Sequence, residues 1–182
     1  MAISLTKGGN VNLSKEAPNL TNMAVGLGWN PRATDGQAFD LDAVAFLVNE
    51  SGKVRTDADF IFFNNLKSAD GSVEHTGDNR TGEGDGDDEV INVDLSRIPA
   101  HVQSLVFTVN SFTGQTFEKV ANAFCRIVNA GNNSEVARYN LSAQGSHTAL
   151  ILAKIYRHNG EWKMHAIGEI ASGRTFHDLM PA

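Results

Sequence analysis

Cysteine occurs once in the 182 residues, at Cys125. One thiol excludes an internal disulfide and a multi-cysteine zinc site, and a reducing, cytoplasmic setting is the simplest reading. Proline occurs four times only. Long apolar runs are missing. The longest, Ala43 to Val48, has six residues, against the about 18 that a membrane-spanning helix needs. The opening stretch MAISLTKGGNVNLSK has no apolar core behind a charged start, so no secretory signal is expected. Basic stripes are missing too, and nucleic acid is therefore not an expected partner.

What is present is an ordinary globular composition, with 41% apolar residues, 20% charged residues and 17 glycines. A chain of this length buries enough surface for its own core, and one domain over residues 1–182 is expected. Short runs rich in Val, Ile, Phe and Tyr alternate with Gly, Asn, Asp and Ser. They predict strands over 23–27, 39–48, 60–63, 89–94, 104–110, 123–128, 135–141, 148–156 and 162–169. Turn signals fall at Ser51-Gly52, Asp70-Gly71, Asn129 to Asn132 and His158-Asn159-Gly160, the last joining two strands as a hairpin. Two short helices are expected. One starts near Thr116 with Phe117, Val120 and Ala121 on one face, and the other covers Arg174 to Leu179. The pattern as a whole predicts an all-β fold, a two-sheet antiparallel β-sandwich with one or two short helices.

The net charge of −6 is unevenly spread. Residues 70–89 carry eight acids and one base, Arg80, for a charge of −7. The rest of the chain has fourteen bases against thirteen acids. Within this window, Gly77-Asp78-Asn79-Arg80-Thr81-Gly82-Glu83-Gly84-Asp85-Gly86-Asp87-Asp88-Glu89 interleaves glycines with carboxylates. Glycine tolerates sharp turns, so successive carboxylates and carbonyls can converge on one point. Convergent anionic oxygens repel one another unless a cation lies among them, and hard oxygen donors in a flexible loop select Ca²⁺ over Mg²⁺ and the transition metals. The plain alternative is a solvated acidic loop.

A second acidic pair lies in Phe39-Asp40-Leu41-Asp42-Ala43. In a strand both aspartates share the side of Val44, Phe46 and Val48, which is expected to look inward, where unpaired carboxylates are costly. A strand starting at Ala43 would instead leave both in solvent. Asn64-Asn65 ends another apolar run and offers neutral amide oxygens, or a simple strand-end turn. The spacing is not that of an EF-hand, because neither Asp78 nor Asp85 starts a loop with the required sixth and twelfth residues. It is not a phosphate cradle either, since its acids repel phosphate. The carboxylates of Asp40, Asp42, Asp78, Glu83, Asp85, Asp87, Asp88 and Glu89 could supply two neighbouring Ca²⁺ ions at about 6–8 oxygens each.

The strings KGGNVNLSK, VGLGWNPR, FDLDAVAFLV, FIFFNNLKSADGSVEHTGDNRTGEGDGDDEVINVDLS and YRHNGEWKMHAIGE resemble the TerD-type tellurite-resistance and general-stress family, from Ile3 to Phe176. The resemblance implies a calcium-binding β-sandwich with its metal sites between loops at one end. It implies metal ligation by Asp40, Asp42, Asn64, Asp78, Asn79, Glu83, Asp85, Asp87, Asp88 and Glu89, with carbonyls of Gly28, Trp29, Asn30 and Gly82 as further donors. Two departures, the short stretch Ser111 to Thr116 and the abbreviated Arg174 to Ala182, bear on partner surfaces and leave the metal motif intact.

The expected function is a non-enzymatic calcium-binding stress-response module associated with tellurite resistance, acting through unidentified protein partners. Two alternatives differ in class. One is a metal-assisted hydrolase, for which His75 is the nearest candidate base; no nucleophile motif or histidine ligand spacing accompanies it. The other is calcium-dependent peripheral docking to membranes, for which Trp29, Pro31 and Arg32 are the nearby side chains.

Overall fold

The computed structural model describes residues 3–5, 9–17, 20–31, 41–49, 60–61, 66–68, 71–75, 89–100, 102–111, 120–131, 134–140, 149–158 and 160–171. Twelve strands and one helical turn are found among them: β1 Ile3–Leu5, β2 Asn10–Asn12, α1 Leu13–Glu16, β3 Asn22–Pro31, β4 Leu41–Val48, β5 Phe60–Ile61, β6 Val73–His75, β7 Glu89–Asp94, β8 Ser104–Ser111, β9 Val120–Asn129, β10 Ser134–Asn140, β11 Ala149–His158 and β12 Glu161–Ala171. They form two six-stranded sheets, β1-β10-β9-β3-β7-β6 and β2-β12-β11-β8-β4-β5. All pairings are antiparallel except β1 with β10. The fold is the all-β sandwich that the alternating pattern predicts.

Inward rows of the two sheets make one core. Met23, Val25, Leu27, Ile91, Val93, Cys125 and Ile127 come from the first sheet, and Ala45, Leu47, Leu105, Phe107, Val109, Ala153, Ile155 and Met164 from the second. At about 1.5–3 kcal/mol for each large apolar side chain removed from water, this double row supplies most of the folding drive. Strand β4 differs from the simple alternation, because Val44 to Val48 are all buried. Ala45 and Leu47 join the inter-sheet core, whereas Val44, Phe46 and Val48 are buried apart from it. The row expected to look into the core is therefore the opposite face of β4, covered in its own right.

Local chemistry explains the connections. Asn12 caps α1, its side-chain oxygen accepting from the Lys15 amide at 3.0 Å, as short polar residues do at a helix start. The hairpin of β11 and β12 closes on the His158–Glu161 pair, and Gly160 between them has φ +78, the left-handed value that an Asn-Gly hairpin turn requires. The edge strands β1, β2, β5 and β6 have two or three residues each, too short to template pairing with another chain.

Two expectations change. Val120 and Ala121, placed on a helix by their spacing to Phe117, begin β9 instead, paired with Pro31 and Asn30 of β3. Pairing with β3 there outweighs a weak local helical period. The three-residue strands β1, β2 and β6 carry too little periodicity to be read from sequence. The expected helix over Arg174 to Leu179 lies outside the described residues, as does the turn at Ser51-Gly52.

In the first sheet Tyr139 lies opposite Cys125, and both are buried. Burial pushes the Tyr139 phenol above its ordinary 10.0, and the charge of a Cys125 thiolate adds to the rise. A phenol that stays neutral in the fold but ionises in the unfolded chain costs stability as pH climbs, and costs nothing below the unfolded value. Thermal melts from neutral pH to about pH 11 should therefore show a fall in Tm beginning near pH 10, which Tyr139→Phe reduces. An unchanged fall in the variant would place its cause elsewhere.

Candidate metal centre

Chain direction decides what meets at each end of the sandwich. Strands β7 and β8 are joined by residues 95–103, which cross from one sheet to the other with Leu95, Ile98 and Val102 buried. The Leu95 amide donates to the Thr21 carbonyl at 2.7 Å and the Gln103 amide to that of Val48 at 2.9 Å. Arg157 of β11 clasps this crossover. Its guanidinium donates to the carbonyls of Ile98 at 3.0 Å, Pro99 at 3.2 Å and Val102 at 3.0 Å, and lies 4.6 Å from the centre of the Trp162 ring. Burial lowers its pKa below the ordinary guanidinium value.

The start of β7, the ends of β3 and β8, and the starts of β4, β9 and β11 are the strand termini remote from that crossover, as the registers require. The segments 32–40 and 112–119 connect these termini to one another, and 76–88 and 141–148 reach them from the ends of β6 and β10. Strand β4 lies across from β7, and β5 across from β6. The beginnings of β4 and β7 thus share one lateral corner as well as one end.

Two of the ten sequence-predicted ligands have their backbone in this frame. Asp42 is the second residue of β4, opposite Asn110 of β8. Glu89 opens β7, opposite Leu27 of β3. Because β4 begins at Leu41, Asp42 lies inside the strand and the alternative start at Ala43 does not hold. Asp40, Asn64, Asp78, Asn79, Glu83, Asp85, Asp87 and Asp88 lie outside the described residues, as does Gly82. Asp40 directly precedes β4, and the segment of Asp78 to Asp88 is bounded by β6 and β7.

Among the described residues, β3 continues from Gly28 to Pro31 beside β9, past the start of β7 opposite Leu27, and Leu41 to Val44 of β4 pair with β8. The β3–β9 ladder also shifts register between Gly28 and Asn30, where Asn122 and Ala123 both face Trp29. Such bulges re-aim a backbone locally.

Histidine 75 ends β6 and leads into the acidic segment. It is 2% exposed, and its backbone amide donates to the Leu66 carbonyl at 2.7 Å. Sequence reading missed β6 itself, although the Val-Glu-His alternation now reads as buried, half-buried, buried. The turn before it is fixed by Ser68, whose hydroxyl accepts from the Val73 amide at 3.1 Å, and by Gly71 at φ +77. Cys125 is buried and in no disulfide, as its apolar surroundings predict. Among the described residues no group of three or more His, Cys, Asp or Glu could hold a metal. By composition, the oxygens of the acidic segment and of the Asp40–Asp42 pair are a set that fits Ca²⁺ rather than a thiophilic ion.

Comparison with known proteins agrees with this frame. The model of the TerD domain matches residues 1–180. A tellurium resistance protein TerD from an Alcaligenes species is 57% identical over 173 residues, covering 92% of this chain and 90% of that protein. General stress protein 16U of Bacillus subtilis strain 168 is 47% identical over 174 residues, covering 92% and 90%. A solved structure, described as a homologue of the telluride resistance protein TerD from Streptomyces coelicolor A3(2), superposes with a TM-score of 0.74 at 20% identity, over 89% of this chain and 96% of that one. At that identity the likeness concerns the fold alone.

Proposed function

This chain belongs to the TerD domain family, and from that premise we propose that it is a non-enzymatic calcium-binding module of stress response and tellurite resistance. It holds two neighbouring Ca²⁺ ions at one end of the sandwich and acts by docking protein partners in the cytoplasm. The observation that carries the reading is the corner where β4 and β7 begin. To that corner the sequence brings six carboxylates within residues 78–89, the segment that leads into β7, and two more at Asp40 and Asp42, where β4 begins. The relatives named for tellurium resistance and general stress support the biological setting. Among the described residues no helix is long and apolar enough to cross a membrane.

The physics of the module is charge neutralisation. Without cations the segment repels itself, and a bound ion stabilises the native chain by mass action. At a free Ca²⁺ concentration of about 100 times Kd, each site adds about 2.7 kcal/mol, which in a domain of this size raises Tm by about 5–10 °C. Mg²⁺ should do far less, because it demands a rigid octahedron and keeps its waters. Calorimetric titration, with melts in Ca²⁺, Mg²⁺ and chelator, tests this. No heat and no thermal shift at millimolar Ca²⁺ would remove calcium from the proposal. Phosphoester hydrolysis that tracks added metal would replace it with an enzyme.

A further inference from the structure

The outward faces of the two sheets handle charge differently. On the first sheet the described charges are largely matched: Lys67 pairs with Glu74 at 3.4 Å, and Glu135 receives both Arg126 at 3.4 Å and Arg138 at 3.1 Å. On the second sheet, Lys154 lies opposite His165 and Tyr156 opposite Lys163, one step on either side of the buried Ile155 and Met164. These four side chains form a two-by-two block on the outward face of β11 and β12. Among the described residues neither lysine has a carboxylate partner. The nearest acid along β12, Glu161, opens that strand two residues before Lys163 and forms an ion pair with neither.

The block is built to donate. Asn10 of β2 donates through Nδ2 to the Tyr156 hydroxyl at 2.7 Å. That bond fills an acceptor site and leaves the phenolic O–H to donate outward. The Lys154 ammonium lies over the Tyr156 ring, 5.1 Å from its centre. Three nitrogen donors and one hydroxyl, with no anion among them, match carboxylates.

We infer that this face binds the acidic segment 78–89 of a second copy of the chain. Charge complementarity identifies the occupant. Residues 70–89 carry −7, and the rest of the chain is close to neutral. The same molecule cannot easily satisfy itself. Its acidic segment joins β6 to β7 of the first sheet, whereas the donor block is on the outward face of the second. Lys154 and Tyr156 are also five and seven residues along β11 from Ala149, about 17–23 Å from the acidic end at strand rise. The contact is head to face between different surfaces: used once per pair it extends into short chains of molecules, and used reciprocally it closes as a two-fold dimer.

Sedimentation of the full chain in chelator at low salt tests this independently of calcium binding. The expected result is a mass-average weight that rises with concentration above the 19.6 kDa monomer and returns to it in about 0.5 M sodium chloride, where exposed charges are screened. The double variant Lys154→Glu, Lys163→Glu, its fold confirmed by circular dichroism, should associate at least about tenfold more weakly with itself. It keeps its own acidic segment, so it should still add to the wild-type chain. A monomeric wild type at all concentrations overturns the inference, and so does a double variant that self-associates as the wild type does. Capture by phosphatidylserine vesicles without self-association would also overturn it, assigning the face to anionic lipid.

Discussion

Replacing Asp40 and Asp42 together by Asn is expected to abolish most of the calcium-dependent rise in melting temperature. Each substitution removes a full negative charge and keeps the shape, so the loss reports on ligation rather than packing. In chelator the double variant should be as stable as the parent or slightly more so, because two repelling carboxylates are gone. In calcium the two curves should separate by most of the about 2.7 kcal/mol that each occupied site supplies at 100-fold saturation. Asp70→Asn supplies the contrast. It removes a charge from the same −7 window, before β6 rather than between β6 and β7, and should leave the calcium shift within about 0.5 kcal/mol of the parent. If both variants lose the shift equally, general electrostatics and not a defined site is responsible. If neither loses it, the Asp40–Asp42 pair is not part of the centre.

At the other end of the sandwich, Arg157→Ala should be among the most destabilising single changes available outside the apolar core. The carbonyls of Ile98 and Val102 lose the guanidinium as donor, and that of Pro99 is left with the Val102 amide at 2.9 Å. The Trp162 ring loses the guanidinium stacked 4.6 Å from its centre. Hydrogen bonds to a charged group contribute about 1.5–3 kcal/mol each when well formed. They are not additive, and water reaches part of this site, so a total of about 3–4 kcal/mol is expected. That corresponds to a fall in Tm of about 10 °C. Arg157→Lys should recover only a small part, because an ammonium cannot span three carbonyls and stack on an indole together. Calcium affinity should change less than about tenfold in either variant, since the clasp is at the end remote from the acidic segment. A Tm within about 2 °C of the parent would show that the crossover 95–103 is held by its own apolar residues.

The two predictions separate the halves of the molecule: an end ordered by neutral contacts and one cation clasp, and an end into which the acidic segment leads. The sequence bears unequally on them. Strand β7 is read with its observed bounds, Glu89–Asp94, because a period of two and flanking acids mark it sharply. The β11–β12 hairpin is equally plain, since Asn159-Gly160 accepts a turn that few other pairs tolerate. The charge of the acidic segment is a property of composition and needs no coordinates at all.

Other features depend on partners far away in the chain. Strand β6 has three residues and no pattern long enough to detect, yet Val73 and His75 are fixed in register against Val93 and Ile91. Val120 and Ala121 follow a helical spacing and become strand because Pro31 and Asn30 offer them a ladder. The double burial of β4 was likewise hidden, since an uninterrupted apolar run does not say which face meets which neighbour. Arg157 gave no sign of its role, because its three acceptors are backbone carbonyls more than fifty residues away.

Local chemistry, then, determined the all-β class, the turns and the concentration of negative charge, because alternation, glycine conformations and charge counts act over a few residues. Tertiary structure alone decided that the strands of Asp42 and Glu89 begin at one corner, and that Lys154, Tyr156, Lys163 and His165 make one donor face. Those relations arise from sheet register, and register is set by pairing between distant segments, which no short stretch of chain encodes by itself.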